Sequence, residues 1–125
     1  MADPDLDPSW VLGLDVSHYQ GTVDWASVLR QGYRFAFIKA TEGTTWTDPE
    51  FSANWAGAKG AGLLRGAYHY YEPGDDPGQQ ADFFLNTVWP HGGQPLLAPG
   101  DLPPVLDIET TGSQSAAERT CLNRP

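Results

Sequence analysis

Phe35-Ala36-Phe37-Ile38-Lys39-Ala40-Thr41, then Asp48-Pro49, then Leu64-Arg65-Gly66-Ala67-Tyr68-His69-Tyr70-Tyr71 is the stretch that decides the fold. The two outer runs are short, apolar and rich in residues that suit strands. Between them Phe51, Trp55 and Ala58 recur at helical spacing. Asp48-Pro49 offers a cap and a first helical residue, and Gly60 and Gly62 offer a stop. The unit reads strand–helix–strand. The same alternation continues on both sides. Val11 to Ser17 reads as a strand, and Trp25, Val28 and Leu29 mark a helix after it. Asp76-Pro77-Gly78-Gln79 opens a third helix, with Gln79 where a capping box places its reciprocal acceptor and Phe83, Phe84 and Val88 as its apolar side. After a Gly- and Pro-rich loop over residues 90–104, Val105 to Glu109 reads as a fourth strand. Such alternation predicts an α/β fold, a parallel sheet with helices packed outside it.

The rest of the 125 residues bounds the function. Five each of Trp, Tyr and Phe argue for a packed core rather than disorder. Seven basic against sixteen acidic residues leave a formal charge of −9, which disfavours both nucleic acid and an anionic membrane as partners. No run is long and apolar enough to span a bilayer. Cys121 is the one cysteine, so an intrachain disulfide and a cysteine-based metal cluster are both excluded. Residues 1–10 read as an acidic, proline-rich flexible leader without the basic and apolar regions of a secretory signal. Residues 113–125 carry no apolar periodicity and read as an unrelated or disordered tail, leaving residues 11–112 as the folded portion.

Active sites of parallel α/β sheets gather at the carboxyl ends of the strands. On the fourth strand Asp107 and Glu109 are two apart and share a face, with Leu106 and Ile108 on the other. Two adjacent carboxylates facing a sheet interior push their pKa values apart, making one a proton donor near neutrality while the other stays ionised. The plainer alternative is that they end a strand and bond to loop amides. Asp15 lies between Leu14 and Val16, where an acid is either functional or buried and satisfied by Ser17, His18 or backbone N–H groups. Period-2 alternation sets Phe35, Phe37, Lys39 and Thr41 against Ala36, Ile38 and Ala40. Lys39 would then point inward as a charge partner for Asp15 or Asp107. Glu42 follows at the strand end, where it is either functional or, the plainer reading, a solvated loop acid. Tyr68 and Tyr70 share one face of the third strand, and His69 and Tyr71 the other. His69 has no second histidine at ligand spacing, so no metal site is expected.

Several blocks also carry a family likeness. Gly13-Leu14-Asp15-Val16-Ser17-His18-Tyr19-Gln20-Gly21, Val23-Asp24-Trp25, Phe35 to Gly43, Gly66-Ala67-Tyr68-His69-Tyr70 and Leu102-Pro103-Pro104-Val105-Leu106-Asp107-Ile108-Glu109 resemble, in order, segments of glycoside hydrolase family 25, the Chalaropsis-type lysozymes. The resemblance implies a peptidoglycan hydrolase, an N-acetylmuramidase cutting the β-1,4 bond between N-acetylmuramic acid and N-acetylglucosamine. It implies Glu109 as general acid, Asp107 as the carboxylate that orients the acetamide, and Asp15 beside them. Tyr68, Tyr70 and Lys39 are the candidate substrate-binding residues. The mechanism it implies is substrate-assisted, with the 2-acetamido oxygen attacking the anomeric carbon. Members of the family form five β/α units followed by further strands. The expected architecture is therefore an incomplete TIM-like β/α barrel, its first four strands and three connecting helices, with an open sheet edge through which copies could associate. Peptidoglycan glycan strands are the implied partner, and no metal or organic cofactor is implied. The implied location is extracellular or at the cell wall; without a signal peptide, cytoplasmic accumulation or non-classical release is the alternative. An inactive remnant that holds glycan through Tyr68, Tyr70 and Trp46 without turnover is the other functional reading.

Overall fold

The structure, a computed structural model, describes residues 9–88 and 100–109. Nearly all of the leader, the tail after residue 112 and most of the 90–104 loop lie outside the described residues.

The chain alternates as its patterning predicts. Strand β1 (Leu12–Val16) leads through one 3₁₀ turn (His18–Gln20) to helix α1 (Trp25–Arg30), then to β2 (Tyr33–Glu42). A two-residue strand β3 (Trp46–Thr47) precedes helix α2 (Phe51–Ala61), followed by β4 (Leu64–Tyr70), α3 (Pro77–Val88) and β5 (Val105–Asp107). The parallel strands lie in the order β1-β2-β4-β5, and β3 folds back antiparallel onto the end of β2. The result is a curled parallel sheet, a half-barrel with helices on its outer face. Neither β3 nor the 3₁₀ turn was legible in the apolar pattern.

Burial follows the period-2 reading of β2 along most of its length. Ala36, Ile38 and Ala40 are fully buried and pack with Trp25, Phe51, Ala58, Phe84 and Val88 from the helices. Their small side chains let the helices approach, and Phe35 and Phe37 fill the inner face. Gly13 and Gly66 make room for those rings: a Cβ at Gly13 would lie 2.0 Å from the Phe35 ring, and one at Gly66 would lie 2.7 Å from Phe37.

The structure corrects three local expectations. Asp48 does not cap α2; the helix begins two residues later, after Glu50, which makes no side-chain cap bond. Asp48 is buried instead. Its Oδ1 accepts from the Glu50 N–H (2.8 Å), and its Oδ2 accepts from the backbone N–H of His18 (2.9 Å) and meets His18 Nδ1 at 3.1 Å. The carboxylate is therefore used to join the 3₁₀ turn to the start of α2. Second, the β2–β4 register slips between Lys39 and Thr41. This bulge moves Thr41 off the inner face, where its hydroxyl meets His69 Nδ1 at 2.7 Å. Third, α2 runs through Gly60 and stops at Gly62, whose φ of 95° is the left-handed C-cap conformation. By contrast α3 starts as expected, with Asp76 Oδ2 accepting from the Gln79 N–H at 2.8 Å.

Candidate active site

The inner face at the carboxyl ends of β1, β4 and β5 holds a cavity of ≈ 390 Å³ bordered by Asp15, Phe37, Tyr68, Asp107 and Glu109. A second cavity of ≈ 440 Å³ shares Asp15, Tyr68 and Glu109 and extends past Lys39, Glu42, Tyr70 and Glu72. The two form one cleft. Regular parallel pairing explains the convergence: Tyr68 sits opposite Lys39 on one side and Val105 on the other, and Tyr70 opposite Asp107. The Tyr71 N–H donates to the Asp107 carbonyl at 2.9 Å, which pins the end of β5 to its neighbour.

Strand β5 stops at Asp107, so Glu109 lies just past it, exposed at the cleft. The two carboxyl groups are nevertheless hydrogen-bonded to each other. Burial, the bond to Glu109 and the negative charges of Glu109 and Asp15 together push Asp107 up to about 7, against a smaller opposing effect of Lys39. The pair thus holds one proton up to near neutrality, as two carboxylates in one site must. Leu106 and Ile108, expected on the opposite face, also border the first cavity, and Leu106 in addition borders a pocket with His69, Tyr71 and Phe84.

Asp15 is exposed in the cleft rather than buried and satisfied. The bonds of its expected side-chain partners run elsewhere: the Ser17 hydroxyl accepts from the Tyr19 N–H at 3.2 Å, its own O–H remaining to donate, and His18 bonds to Asp48. Tyr68 is buried at the same place. Burial first, then the charges of Asp15, Asp107, Asp48 and Glu109, push its phenol above the ordinary tyrosine value, so it remains a hydroxyl donor.

Lys39 does point inward and is only 5% exposed, but its partner is neither Asp15 nor Asp107. Its Nζ donates to Glu42 Oε1 at 2.6 Å and lies over the rings of Trp46 (4.9 Å) and Tyr70 (4.7 Å). The bulge that turns Thr41 outward returns Glu42 to the inner face, opposite Tyr70. Strict alternation places residues three apart on opposite faces, so no spacing rule could have found this pair. Glu42 in turn is hydrogen-bonded to Glu72, a residue the sequence did not single out. Burial alone would raise Glu42, but the bonds from Lys39 and Glu72 hold it below the ordinary glutamate value. Its bond to Glu42, with burial and the Glu42 and Asp75 charges, raises Glu72.

His69 faces α3, with Nδ1 on Thr41 and Nε2 2.7 Å from Gln80 Oε1. Burial lowers its pKa, only partly offset by the Gln80 bond. Among the described residues no three of His, Cys, Asp and Glu gather as metal ligands, and no helix is long and apolar enough to cross a membrane.

The model of glycosyl hydrolases family 25 matches residues 14–123. The chain belongs to this family. Its match extends past residue 112, into the segment read as a tail. Lysozyme M1 of Streptomyces globisporus is 49% identical over 104 residues, covering 82% of this chain and 34% of its own length. The N,O-diacetylmuramidase of Chalaropsis sp is 43% identical over 110 residues, covering 85% of this chain and 50% of its own length. Among solved structures, a family 25 glycosyl hydrolase from Bacillus anthracis superposes with a TM-score of 0.74 at 36% identity, covering 96% of this chain and 49% of that one. The family 25 chain described here thus spans about a third to a half of the length of the relatives it matches.

Proposed function

We propose that this chain carries the carboxylate site of a peptidoglycan muramidase on the first part of a TIM-like β/α barrel. The observation that supports it best is the hydrogen-bonded Asp107–Glu109 pair, facing Asp15 and Tyr68 across one cavity. The bond cleaved is the β-1,4 link between N-acetylmuramic acid and N-acetylglucosamine. In this reading the shared proton passes along the Asp107–Glu109 hydrogen bond to Glu109, which lies nearer solvent, and from there to the glycosidic oxygen as the bond to the anomeric carbon breaks. Asp107, now ionised, accepts the acetamide N–H while the acetamide oxygen closes on the anomeric carbon. Its charge stabilises the cationic ring that forms. Glu109, left as a carboxylate, then takes a proton from the water that opens that ring. The Tyr68 hydroxyl and Asp15 position the acetamide and the sugar, and Tyr70 and Lys39 border the next sugar along. Such an enzyme acts on glycan strands of the wall, outside the cell that makes it.

Release of new reducing ends from purified peptidoglycan tests this. The chain should release them and Glu109→Gln should not. Binding without release in either protein would replace the enzyme by a glycan-holding module. The reading includes pairing of copies along β5, where Leu106 is 50% and Val105 39% exposed. A sedimentation profile of the same sample that stays monomeric would remove that part alone.

A further inference from the structure

The lobe of the cleft beyond Tyr68 is built with more care than a solvated rim requires. Gln80, only 1% exposed, spends its whole amide on the turn after β4: Oε1 accepts from the Glu72 N–H (3.0 Å), and Nε2 donates to the carbonyls of Glu72 (2.8 Å) and Asp75 (3.2 Å). Since that Nε2 is the donor, Oε1 also accepts from His69 Nε2–H, and His69 Nδ1 accepts from the Thr41 hydroxyl. On the opposite side Gly43, at φ 61°, lets the turn close in, because a Cβ there would lie 2.9 Å from Asp75 Oδ2 and 3.4 Å from Glu72 Cγ. Both sides hold the Glu72 carboxyl against Glu42, and Glu42 holds Lys39.

We propose that Glu72 is a specificity-determining residue of this cleft: through Glu42 it sets whether the Lys39 ammonium can receive a carboxylate carried on a sugar, such as the lactyl group of muramic acid. The proposal rests on the muramidase reading and names what this lobe recognises. An ammonium has three donors, and Glu42 takes one. With Glu72 protonated, Lys39 and Glu42 together are neutral, and an incoming carboxylate meets an ammonium that borders the cavity although little of it is exposed. With Glu72 ionised, the trio is net negative and the carboxylate is repelled. The raised pKa of Glu72 places this change above the ordinary glutamate value. The other charged groups that face the trio are His18 and Asp15 from the β1 side, Asp75 on the turn and Glu109 across the cavity, with His69 behind β4.

The test is calorimetric binding on a Glu109→Gln background, with a muramic acid-containing disaccharide and a neutral N-acetylglucosamine oligomer, from about pH 4 to about pH 7. Affinity for the muramic acid ligand should fall roughly threefold to tenfold as Glu72 ionises, and affinity for the neutral oligomer should hold level. Glu72→Gln, whose amide can still donate to Glu42, should keep the muramic acid affinity level. An unchanged pH profile in Glu72→Gln overturns the proposal while leaving the muramidase reading intact; binding of neither ligand at any pH overturns both. A second measurement needs no Glu72 variant. By linkage, the muramic acid ligand must move the NMR titration midpoint of the Glu72 carboxyl upward, and a midpoint it leaves in place overturns the proposal.

Discussion

Asp107 ties the chemistry of the site to the stability of the chain. Its carboxyl is held at about 7 against an ordinary value of 3.8, so between those values the folded chain keeps a proton that the unfolded chain has lost. Stability from this group is therefore complete below the unfolded value and is lost as pH rises through about 7. Urea midpoints should fall over that window, and Asp107→Asn should remove this part of the slope; an unchanged slope would show the group to be unperturbed. In the proposed mechanism the same proton also sets the rate. Accordingly kcat should decline above about pH 7, where the pair becomes doubly charged. Asp107→Asn should lower kcat by roughly 10²-fold or more, since it removes both the shared proton and the acceptor for the acetamide. A pH–rate profile of the two proteins checks both statements.

At the scale of the elements, two aspartates with similar sequence contexts have different consequences. Asp48-Pro49 and Asp76-Pro77 both read as helix starts, yet only Asp76 caps one. Asp76→Ala should cost about 1 kcal/mol, the usual loss of an exposed cap. Asp48→Ala should cost more, about 2–3 kcal/mol, because it strips partners from His18 and Glu50 at a buried position. Equal shifts in urea midpoint would refute that ranking. The contrast also shows what the sequence could convey. The order of strands and helices, the inward direction of Lys39 and the shared face of Tyr68 and Tyr70 follow from local periodicity, whereas the meeting of Asp107 and Glu109 does not, because β5 stops at Asp107. The bulge between Lys39 and Thr41 does not, since it depends on how β2 and β4 register in space. With it went the partner of Lys39 and the meaning of Glu42. Glu72 was hidden for a related reason. Its position is set by Gln80, eight residues on, whose burial becomes visible only once α3 is docked.

For the whole molecule, the fold concentrates negative charge at the cleft where the proposed function seats the substrate. The formal charge is −9, and Asp15, Asp107, Glu109, Glu42 and Glu72 border the cleft with Lys39 among them. Long-range attraction therefore cannot bring an anionic wall polymer to this surface; it opposes the approach, and added salt screens that opposition within a Debye length of about 10 Å at 0.1 M. In the proposed reading the contacts that hold glycan must then be short-range, namely ring faces against sugar, hydrogen bonds at Tyr68 and the half-neutralised Lys39. Affinity for insoluble peptidoglycan should accordingly stay level or rise slightly as salt increases from about 0.05 to about 0.5 M. A pull-down titration across that range checks this, and a steep loss of binding would mean that a basic surface outside the described residues, rather than this cleft, carries the attachment.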